Sequence, residues 1–330
     1  MTKLNALSRR TFSAGIVLSA IAMTAVPAAA QDVLRFGHVY EESTPYHQAA
    51  LRAAEAFGEA TDGRYEIQVF PASQLGNETA LNEALSLGTV DLIYTGPAFM
   101  AQSYPPIAIS DFPFTLRGYD HWEAYAASDL FDELAGGYTE VTGNYVAAMT
   151  YYGARHVTSN YPILTPADME GLKIRTPNAP AYQLFPEVTG ANPTPMAFSE
   201  VYLALQQGVV DAQENPLPTI QAKAFHEVQS NINLTGHIVN SLATLVSPST
   251  EQALGDDIAI LDEVLEEAAL WASAEIVQSE NELVEWFRAE GVTVNEVDRS
   301  PFIEAVAPSL VSDVMPWDAS VYERLQAIGQ

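Results

Sequence analysis

Two arginines stand where apolar stretches of this sequence end. Arg175 lies near the end of residues 172–177 (LKIRTP), and Arg155 follows the residues Tyr-Tyr-Gly at positions 151–153. A guanidinium presents a planar fork of N–H donors that can bind a carboxylate through two parallel hydrogen bonds. Two such forks facing one cleft would form an anion site. With 14 basic and 42 acidic residues in the chain, each arginine could instead pair with an acidic neighbour. The pattern alone leaves both interpretations open.

The six histidines do not form a metal-binding pattern. His38 and His47 are nine residues apart, His156 directly follows Arg155, and the others are isolated. The chain has no cysteine, which excludes disulfides, thiolate catalysis and zinc–thiolate sites. Motifs for nucleotide binding, serine hydrolysis, zinc proteolysis and calcium loops are also missing from the sequence. We therefore expect neither a cofactor nor a metal, and nothing in the sequence supports an enzyme.

The elements that must position these residues begin with an alternation of strands and helices. Such an opening predicts a parallel sheet with helices on both faces, and ligands bind beyond the carboxyl ends of its strands. Asn77 is the predicted N-cap of the second helix. The predicted strands cover residues 33–39, 65–70 and 90–95, and the helices cover residues 46–61 and 77–87. The segments beyond the strand ends are residues 38–44, 71–77 and 96–99.

The same alternation returns later in the chain and predicts a second sheet. A long acidic helix over residues 256–290 follows it and is expected to kink or to bridge two domains. Because no linker separates the two regions, we expect the chain to cross between them more than once. Further strands are predicted over residues 145–152, 172–176, 193–197 and 209–212, with a helix over residues 198–207 and a short helix start at residues 165–168.

The N-terminus reads as an export signal. Lys3, Arg9 and Arg10 precede a moderately apolar stretch over residues 14–26, and small residues at 28–30 supply a cleavage site near Ala30. The pattern at residues 8–12 (SRRTF) is twin-arginine-like, although the general secretion route stays open. We therefore expect a periplasmic protein. Its formal net charge of −28 makes nucleic acid an unlikely partner, because like charges repel.

Several motifs, in the same order along nearly the whole chain after the signal, resemble one family. The most specific cover residues 191–206 (ANPTPMAFSEVYLALQ) and 210–216 (VDAQENP). Residues 73–76 (SQLG), 153–155 (GAR), 158–160 (TSN) and 171–178 (GLKIRTPN) accompany them. Together they resemble the solute-binding proteins of TRAP (tripartite ATP-independent periplasmic) transporters, the DctP-type family. The similarity is greatest to the branches that bind sialic acid and uronates.

The resemblance implies an α/β fold of the two-lobed periplasmic-binding-protein type. A ligand cleft would lie between the lobes, with crossing hinge strands and a long bridging helix. The implied lobe I comprises residues 31–152 and about 241–280, and lobe II comprises residues 153–240 and about 281–330, after a signal peptide over residues 1–30. The implied partners are a small-molecule carboxylate and the two integral membrane subunits of a TRAP transporter. We expect a monomer.

The family's ligand-binding positions are occupied in the second lobe. By resemblance, Arg175 pairs bidentately with the ligand carboxylate, while Arg155 and Asn215 assist it. Phe198 matches an aromatic residue that lines the cleft. Asn178, at the end of the segment that carries Arg175, is a further candidate for ligand binding.

The first lobe is expected to decide which acid binds. Where the sialic-acid branch has an asparagine and a glutamate, this chain has Val39 and Gly96, and these departures argue against sialic acid. Hydrogen-bonding groups there would suit a hydroxylated ligand, preferably a hexuronate such as galacturonate or glucuronate. A four-carbon dicarboxylate or another small hydroxy or keto acid is the alternative. The ligand-binding candidates are His38, Gln74, Glu78 and Thr95, beside Tyr40, Asn77 and Tyr94, and each could equally have a structural role.

Overall fold

The computed structural model describes residues 31–330, so the predicted signal peptide lies outside the described residues. Within this range the strands are β1 Asp32–Gly37, β2 Tyr65–Phe70, β3 Leu92–Thr95, β4 Tyr145–Ser159, β5 Lys173–Thr176, β6 Asn192–Pro195, β7 Ala212–Pro216, β8 Asn231–Val246 and β9 Thr293–Asn295. The α-helices are α1 Pro45–Ala60, α2 Glu78–Ser86, α3 Pro97–Met100, α4 Tyr119–Ala126, α5 Asp129–Thr142, α6 Pro180–Val188, α7 Val201–Gln206, α8 Leu217–Ala222, α9 Pro248–Leu254, α10 Ile258–Ala289, α11 Ser300–Leu310 and α12 Ala319–Ala327. Short 3-10 helices include Pro105–Asp111 and Phe198–Glu200.

The first lobe is built on the βαβαβ unit that the sequence predicted. Strand β1 lies between β2 and β3 and pairs in parallel with both. Helix α1 begins after Thr44, whose hydroxyl oxygen accepts a hydrogen bond from the His47 N–H, and Pro45 fills a position where no N–H is needed. Asn77 caps α2 as predicted, accepting from the Ala80 N–H at 3.0 Å.

The second lobe repeats this arrangement around β5, which lies in parallel between β6 and β7. One predicted strand is displaced, because β7 begins at Ala212 instead of covering residues 209–212. Helix α7 ends just before Gly208, whose φ of +68° is a left-handed conformation that favours glycine. Residues 207–211 therefore form the turn, and the strand starts after it.

Two long strands join the lobes and correct the prediction of two separate sheets. Strands β4 and β8 pair antiparallel along most of their 15 and 16 residues. The C-terminal end of β8 also pairs with β3, and the C-terminal end of β4 pairs with β7. Each strand is long enough to take part in both lobes, so all nine strands belong to one continuous hydrogen-bonded sheet.

The predicted long helix is confirmed as α10, which has 32 residues. It packs along α1 and β4 and also contacts α8, so it extends over elements of both lobes. At the crossing, the Glu280 carboxylate accepts hydrogen bonds from the Ala154 N–H at 2.6 Å and from the Tyr151 hydroxyl at 2.9 Å. These contacts hold α10 to β4 where the register of β4 shifts, between Tyr151 and Gly153.

The last helix packs against the N-terminal part of the described chain. Helix α12 packs against α5, and the His121 imidazole lies 2.9 Å from the Leu325 carbonyl oxygen. Arg324 and Glu133 add an ion pair at 2.8 Å. Residues 319–327 thus contact an element that was assigned to lobe I, and the lobe boundaries stay a prediction. Among the helices of residues 31–330, none combines the length and apolarity needed to cross a membrane.

Candidate ligand-binding site

A narrow cavity lies where the two lobes meet, beside β4 and β8. Its volume is about 20 Å³, room for roughly one water molecule. A larger groove of about 490 Å³ runs past residues 310–321, but its charged lining residues are all exposed. The cavity is lined by Tyr40, Glu78, Gly96, Phe99, Tyr152, Arg155, Arg175, Pro177, Tyr182, Phe198, Asn215, Asn240 and Ser241.

Arg175 brings a buried charge to this cavity. It occupies β5 and is 1% exposed. Its Nε and Nη2 atoms both donate to the Met196 carbonyl oxygen, at 3.1 and 2.7 Å. Within residues 31–330, no carboxylate oxygen lies within 4.0 Å of its guanidinium. Burial lowers the pKa of Arg175 to about 10, although Glu78 and Glu214 partly counter this effect. A buried cation without a close counter-ion is suited to binding an anion.

Arg155 lines the same cavity, but its charge is already neutralised. Its Nε and Nη2 atoms donate to the two Glu214 carboxylate oxygens at 2.5 and 2.7 Å, and Nη2 also donates to the Glu214 carbonyl oxygen at 2.8 Å. Its Nη1 atom donates to Asn240 Oδ1 at 2.9 Å. Among the described residues these bonds use four of its five N–H groups. One N–H of Nη1 is left for a ligand.

Asn215 and Phe198 complete the part of the cavity that the second lobe contributes. Asn215 Nδ2 donates to Gln213 Oε1 at 2.6 Å, which fixes the orientation of the amide at the end of β7. The Phe198 ring lies 5.9 Å from the Arg175 guanidinium carbon and 5.1 Å from Lys223 Nζ. The structure therefore brings Arg175, Arg155, Asn215 and Phe198 together, as the resemblance implied.

Glu78 places an acid on the opposite wall of the cavity. It is the first residue of α2 and is half-buried as a whole residue. Burial of its carboxyl group raises its pKa, and its own backbone N–H, Arg175 and Arg155 partly counter the rise. The acid and the unpaired base thus interact across the cavity. Tyr40 lies on the same wall as Glu78, so this wall combines a carboxyl group with a phenol.

His38 and Thr95 lie inside the first lobe and do not line the cavity. His38 Nδ1 accepts a hydrogen bond from the Tyr40 N–H at 3.2 Å, and its Nε2 lies 3.2 Å from His47 Nδ1. Burial, assisted by His47, lowers the pKa of His38 to about 3. Thr95 Oγ1 accepts from Asn82 Nδ2 at 2.9 Å. Both side chains are thus hydrogen-bonded within the first lobe, and their part in ligand binding stays a prediction.

Gln74 and Asn178 are exposed and also lie outside the cavity lining. Gln74 sits in the turn after β2, where its backbone N–H donates to the Pro71 carbonyl oxygen at 3.0 Å. Asn178 belongs to the turn between β5 and α6. Their part in ligand binding stays a prediction.

Four residues of the cavity that carry a hydroxyl or amide side chain were absent from the predicted site. Asn240 and Ser241 belong to β8, and Tyr182 belongs to α6, two elements that the sequence analysis did not predict. Tyr152 precedes the motif that carries Arg155, and this proximity was a usable signal. The apolar residues at positions 238–246 were the available signal for β8.

Comparison with known proteins agrees with this geometry. Residues 36–313 match the family described as bacterial extracellular solute-binding protein, family 7. The sialic acid-binding periplasmic protein SiaP of Vibrio cholerae is 35% identical over 285 residues, which are 84% of this chain and 87% of that protein. A solute-binding protein of Roseobacter denitrificans is 33% identical and covers 95% of this chain and 94% of its own length.

Solved structures give the same result. A TRAP periplasmic solute-binding protein of Roseobacter denitrificans with bound L-galactonate has a TM-score of 0.85 and 31% identity, and it covers 92% of this chain and 100% of its own. One from Polaromonas with bound D-erythronate has a TM-score of 0.87 and 30% identity, covering 91% and 100%. Others, 26–28% identical, carry β-D-glucuronate, β-D-galacturonate or succinate. These relatives are binding subunits of transporters rather than enzymes. The chain therefore belongs to family 7 of the bacterial extracellular solute-binding proteins, the two-lobed solute-binding proteins of TRAP transporters that capture small organic acids.

Proposed function

We propose that this chain captures a sugar acid with one carboxylate, preferably a hexuronate such as galacturonate or glucuronate. The observation that carries the proposal is Arg175, a buried guanidinium with no carboxylate oxygen within 4.0 Å among the described residues. A ligand carboxylate would supply the missing charge through two parallel hydrogen bonds. Arg155 can add a single N–H, because Glu214 and Asn240 engage the others.

The opposite wall favours hydroxyl groups over a second carboxylate. Glu78 would repel a second negative charge, but an ionised carboxyl group accepts hydrogen bonds from hydroxyls. Tyr40 adds a phenol beside it. Galactonate, glucuronate, galacturonate and erythronate, the ligands of four similar structures, each have one carboxylate and several hydroxyls. This pattern supports the class of ligand, and the hexuronate is the specific member that we propose.

A four-carbon dicarboxylate, or another small hydroxy or keto acid, is the second candidate. A similar structure with bound succinate favours it, as does the small volume of the cavity, about 20 Å³. The two candidates differ at the end of the ligand that faces Glu78. A dicarboxylate has a second negative charge there, whereas a hexuronate has hydroxyl groups. Glu78 is therefore the residue that separates them.

Parallel thermal melts and calorimetry test the choice. At equal concentration, glucuronate or galacturonate should raise the melting temperature more than succinate, malate or sialic acid does. Glu78→Gln should weaken hexuronate binding by about tenfold, the value of a hydrogen bond to a charged group, and should strengthen dicarboxylate binding. Glu83→Gln on the same helix is the matched control and should leave both unchanged. A larger shift with succinate for the natural chain would replace the sugar acid by the dicarboxylate.

Location and partners follow from membership of the family and are also proposals. The mature chain would begin near Gln31 in the periplasm, as a monomer, and would deliver its ligand to the two integral membrane subunits of a TRAP transporter. Cell fractionation with N-terminal sequencing tests the cleavage site. Deleting this chain should abolish uptake of the ligand by cells, and persistent uptake would contradict the proposed role.

A further inference from the structure

Gly96, at the end of β3, is in contact with a residue of the other lobe. A Cβ atom added to Gly96 would lie 3.0 Å from the Tyr182 hydroxyl oxygen and 3.4 Å from Asp111 Oδ2. The backbone of Gly96 has φ −82° and ψ 148°, an extended conformation that any residue adopts. Backbone geometry therefore does not require glycine at this position. The available space favours it, because the Tyr182 hydroxyl would have to move by a few tenths of an ångström to admit a Cβ atom.

Tyr182 reaches this position from α6, in the second lobe, and is 3% exposed. Its hydroxyl oxygen lies 3.2 Å from Asp111 Oδ2 and 3.3 Å from Asn240 Nδ2. Asp111, at the end of the 3-10 helix Pro105–Asp111 of the first lobe, also accepts from the Ala98 N–H at 2.9 Å and from Asn240 Nδ2 at 2.7 Å. The phenol thus spans the two lobes and is held at its tip.

The ring of Tyr182 also lies close to side chains of both lobes. The Arg155 guanidinium carbon lies 4.8 Å from the ring centroid, and the Phe99 ring centroid lies 6.2 Å from it. Tyr182, Gly96, Phe99 and Asn240 all belong to the lining of the one cavity that also contains Arg175. At this place the cavity is bounded by the Tyr182 phenol, whose hydroxyl is bonded to Asp111 and Asn240, rather than by a free charge.

We infer that Tyr182 and Gly96 form an end wall that limits the length of the ligand. The inference rests on the proposed function, since it concerns the same cavity and a ligand anchored at Arg175. Any acid anchored at Arg175 must widen this narrow cavity, and an acid with a longer chain must in addition displace Tyr182 and break its bond to Asp111. Gly96 contributes to the wall because a side chain there would press on the Tyr182 hydroxyl.

The test measures affinity for a six-carbon and a nine-carbon sugar acid, glucuronate and N-acetylneuraminate, by calorimetry on the whole chain. Tyr182→Ala removes the wall, so glucuronate should bind at least tenfold more weakly and N-acetylneuraminate should become measurable. Tyr182→Phe keeps the ring and should leave the selectivity unchanged, with a loss of only a few fold. Tyr182→Leu also shortens the wall but leaves a smaller void than alanine does. It should change the two affinities in the same direction, and it replaces the alanine variant if that variant does not fold.

Gly96→Ala tests the other side of the contact. Its methyl group should lower the affinity for glucuronate by tenfold or more and should prevent the compaction on ligand binding that we expect small-angle scattering to detect for the natural chain. Gly118→Ala is the control, because an added Cβ there meets no atom within 4 Å. An unchanged ratio of the two affinities in both Tyr182→Ala and Tyr182→Leu, or native binding and compaction in Gly96→Ala, would overturn the end wall.

Failure of the proposed function gives a different result. If the natural chain binds succinate and no hydroxylated monocarboxylic acid, the sugar-acid proposal is wrong, and the end wall is then tested with succinate and the longer adipate. Tyr182→Ala should raise the affinity for adipate relative to succinate by tenfold or more. An unchanged ratio there would overturn the end wall as well.

Discussion

The two walls of the cavity are built in different ways. The second lobe contributes two arginines and an amide on paired strands, where the sheet fixes their positions. The first lobe contributes Tyr40 from the loop after β1, Glu78 from the first turn of α2, and Gly96 from the end of β3. One wall carries the positive charge, and the other carries an acid, a phenol and bare backbone. We infer that the wall from the second lobe (the second wall) sets the class of ligand and that the wall from the first lobe (the first wall) sets its identity.

Within the second wall, the two arginines differ as much as the walls do. Arg155 is bound bidentately to Glu214, and His237 Nε2 lies 3.2 Å from the same carboxylate. Arg175 has only a carbonyl oxygen as its hydrogen-bond partner among the described residues. A paired buried charge supports the fold, whereas an unpaired one costs free energy until a ligand supplies the partner. The two residues should therefore respond to substitution in opposite ways.

The largest expected effect is on binding. Arg175→Ala should lower ligand affinity by about two to four decades, because removing one member of a desolvated charge pair costs about 3–5 kcal/mol. Arg175→Lys should also bind poorly, since an ammonium group cannot form two parallel hydrogen bonds to a carboxylate. Titration calorimetry measures both. The exposed Arg324→Ala is the control, and native affinity in Arg175→Ala would remove the proposed site.

The effect on stability should be larger for Arg155 than for Arg175, the reverse of the effect on binding. Arg155→Ala leaves Glu214 buried without its main counter-ion, which should cost about 3–5 kcal/mol and lower the melting temperature of the unliganded protein by about 6 °C or more. Arg175→Ala removes an unpaired buried charge and should shift the melting temperature by a few degrees at most. Arg155→Met combined with Glu214→Gln removes both charges and should recover much of the loss. Equal melting temperatures for the two alanine variants would show that the arginines do not differ in this way.

Much of the second wall could be predicted from the sequence. Short apolar segments predicted β5 and β6 to within one or two residues, and the turns around them fix where a side chain at the strand end must lie. Arg175, Arg155, Asn215 and Phe198 follow from those segments and from family motifs that span them. Residues along a strand are spaced by a few ångströms, and strand pairing fixes their positions. The local sequence pattern is therefore enough to predict where these side chains lie.

The first wall could be predicted only in part. His38 follows β1 and Thr95 is the last residue of β3, positions that a ligand-binding residue could take, yet both are turned into the core and bonded there. Which face a side chain takes beyond a strand end depends on the loop, and local pattern does not specify it. Tyr182 and Asn240 were missed because their roles depend on contacts with Asp111, 71 and 129 residues away along the chain.

The smallest predicted effect concerns an ion pair that joins the two lobes. Lys223, which follows α8 in the second lobe, lies 2.6 Å from Glu41 in the loop after β1, with side chains 16% and 30% exposed. Separating the two lobes must break this ion pair, but partly exposed ion pairs contribute only about 0.2–1 kcal/mol to stability. Glu41→Gln and Lys223→Met should each weaken ligand binding by about two- to fivefold, through faster dissociation measured by stopped flow, and the loss should shrink in high salt.

The two single variants separate a contact between lobes from a contact with the ligand. Lys223 Nζ also lies 5.1 Å from the Phe198 ring centroid in the cavity wall, so it could act on the ligand carboxylate directly. In that case Glu41→Gln would free the lysine and tighten binding, while Lys223→Met would weaken it. If the pair acts as a contact between lobes, both variants weaken binding, and the double variant is no worse than either alone. Arg288→Met, which breaks exposed pairs with Glu285 and Glu296, controls for the loss of a surface charge.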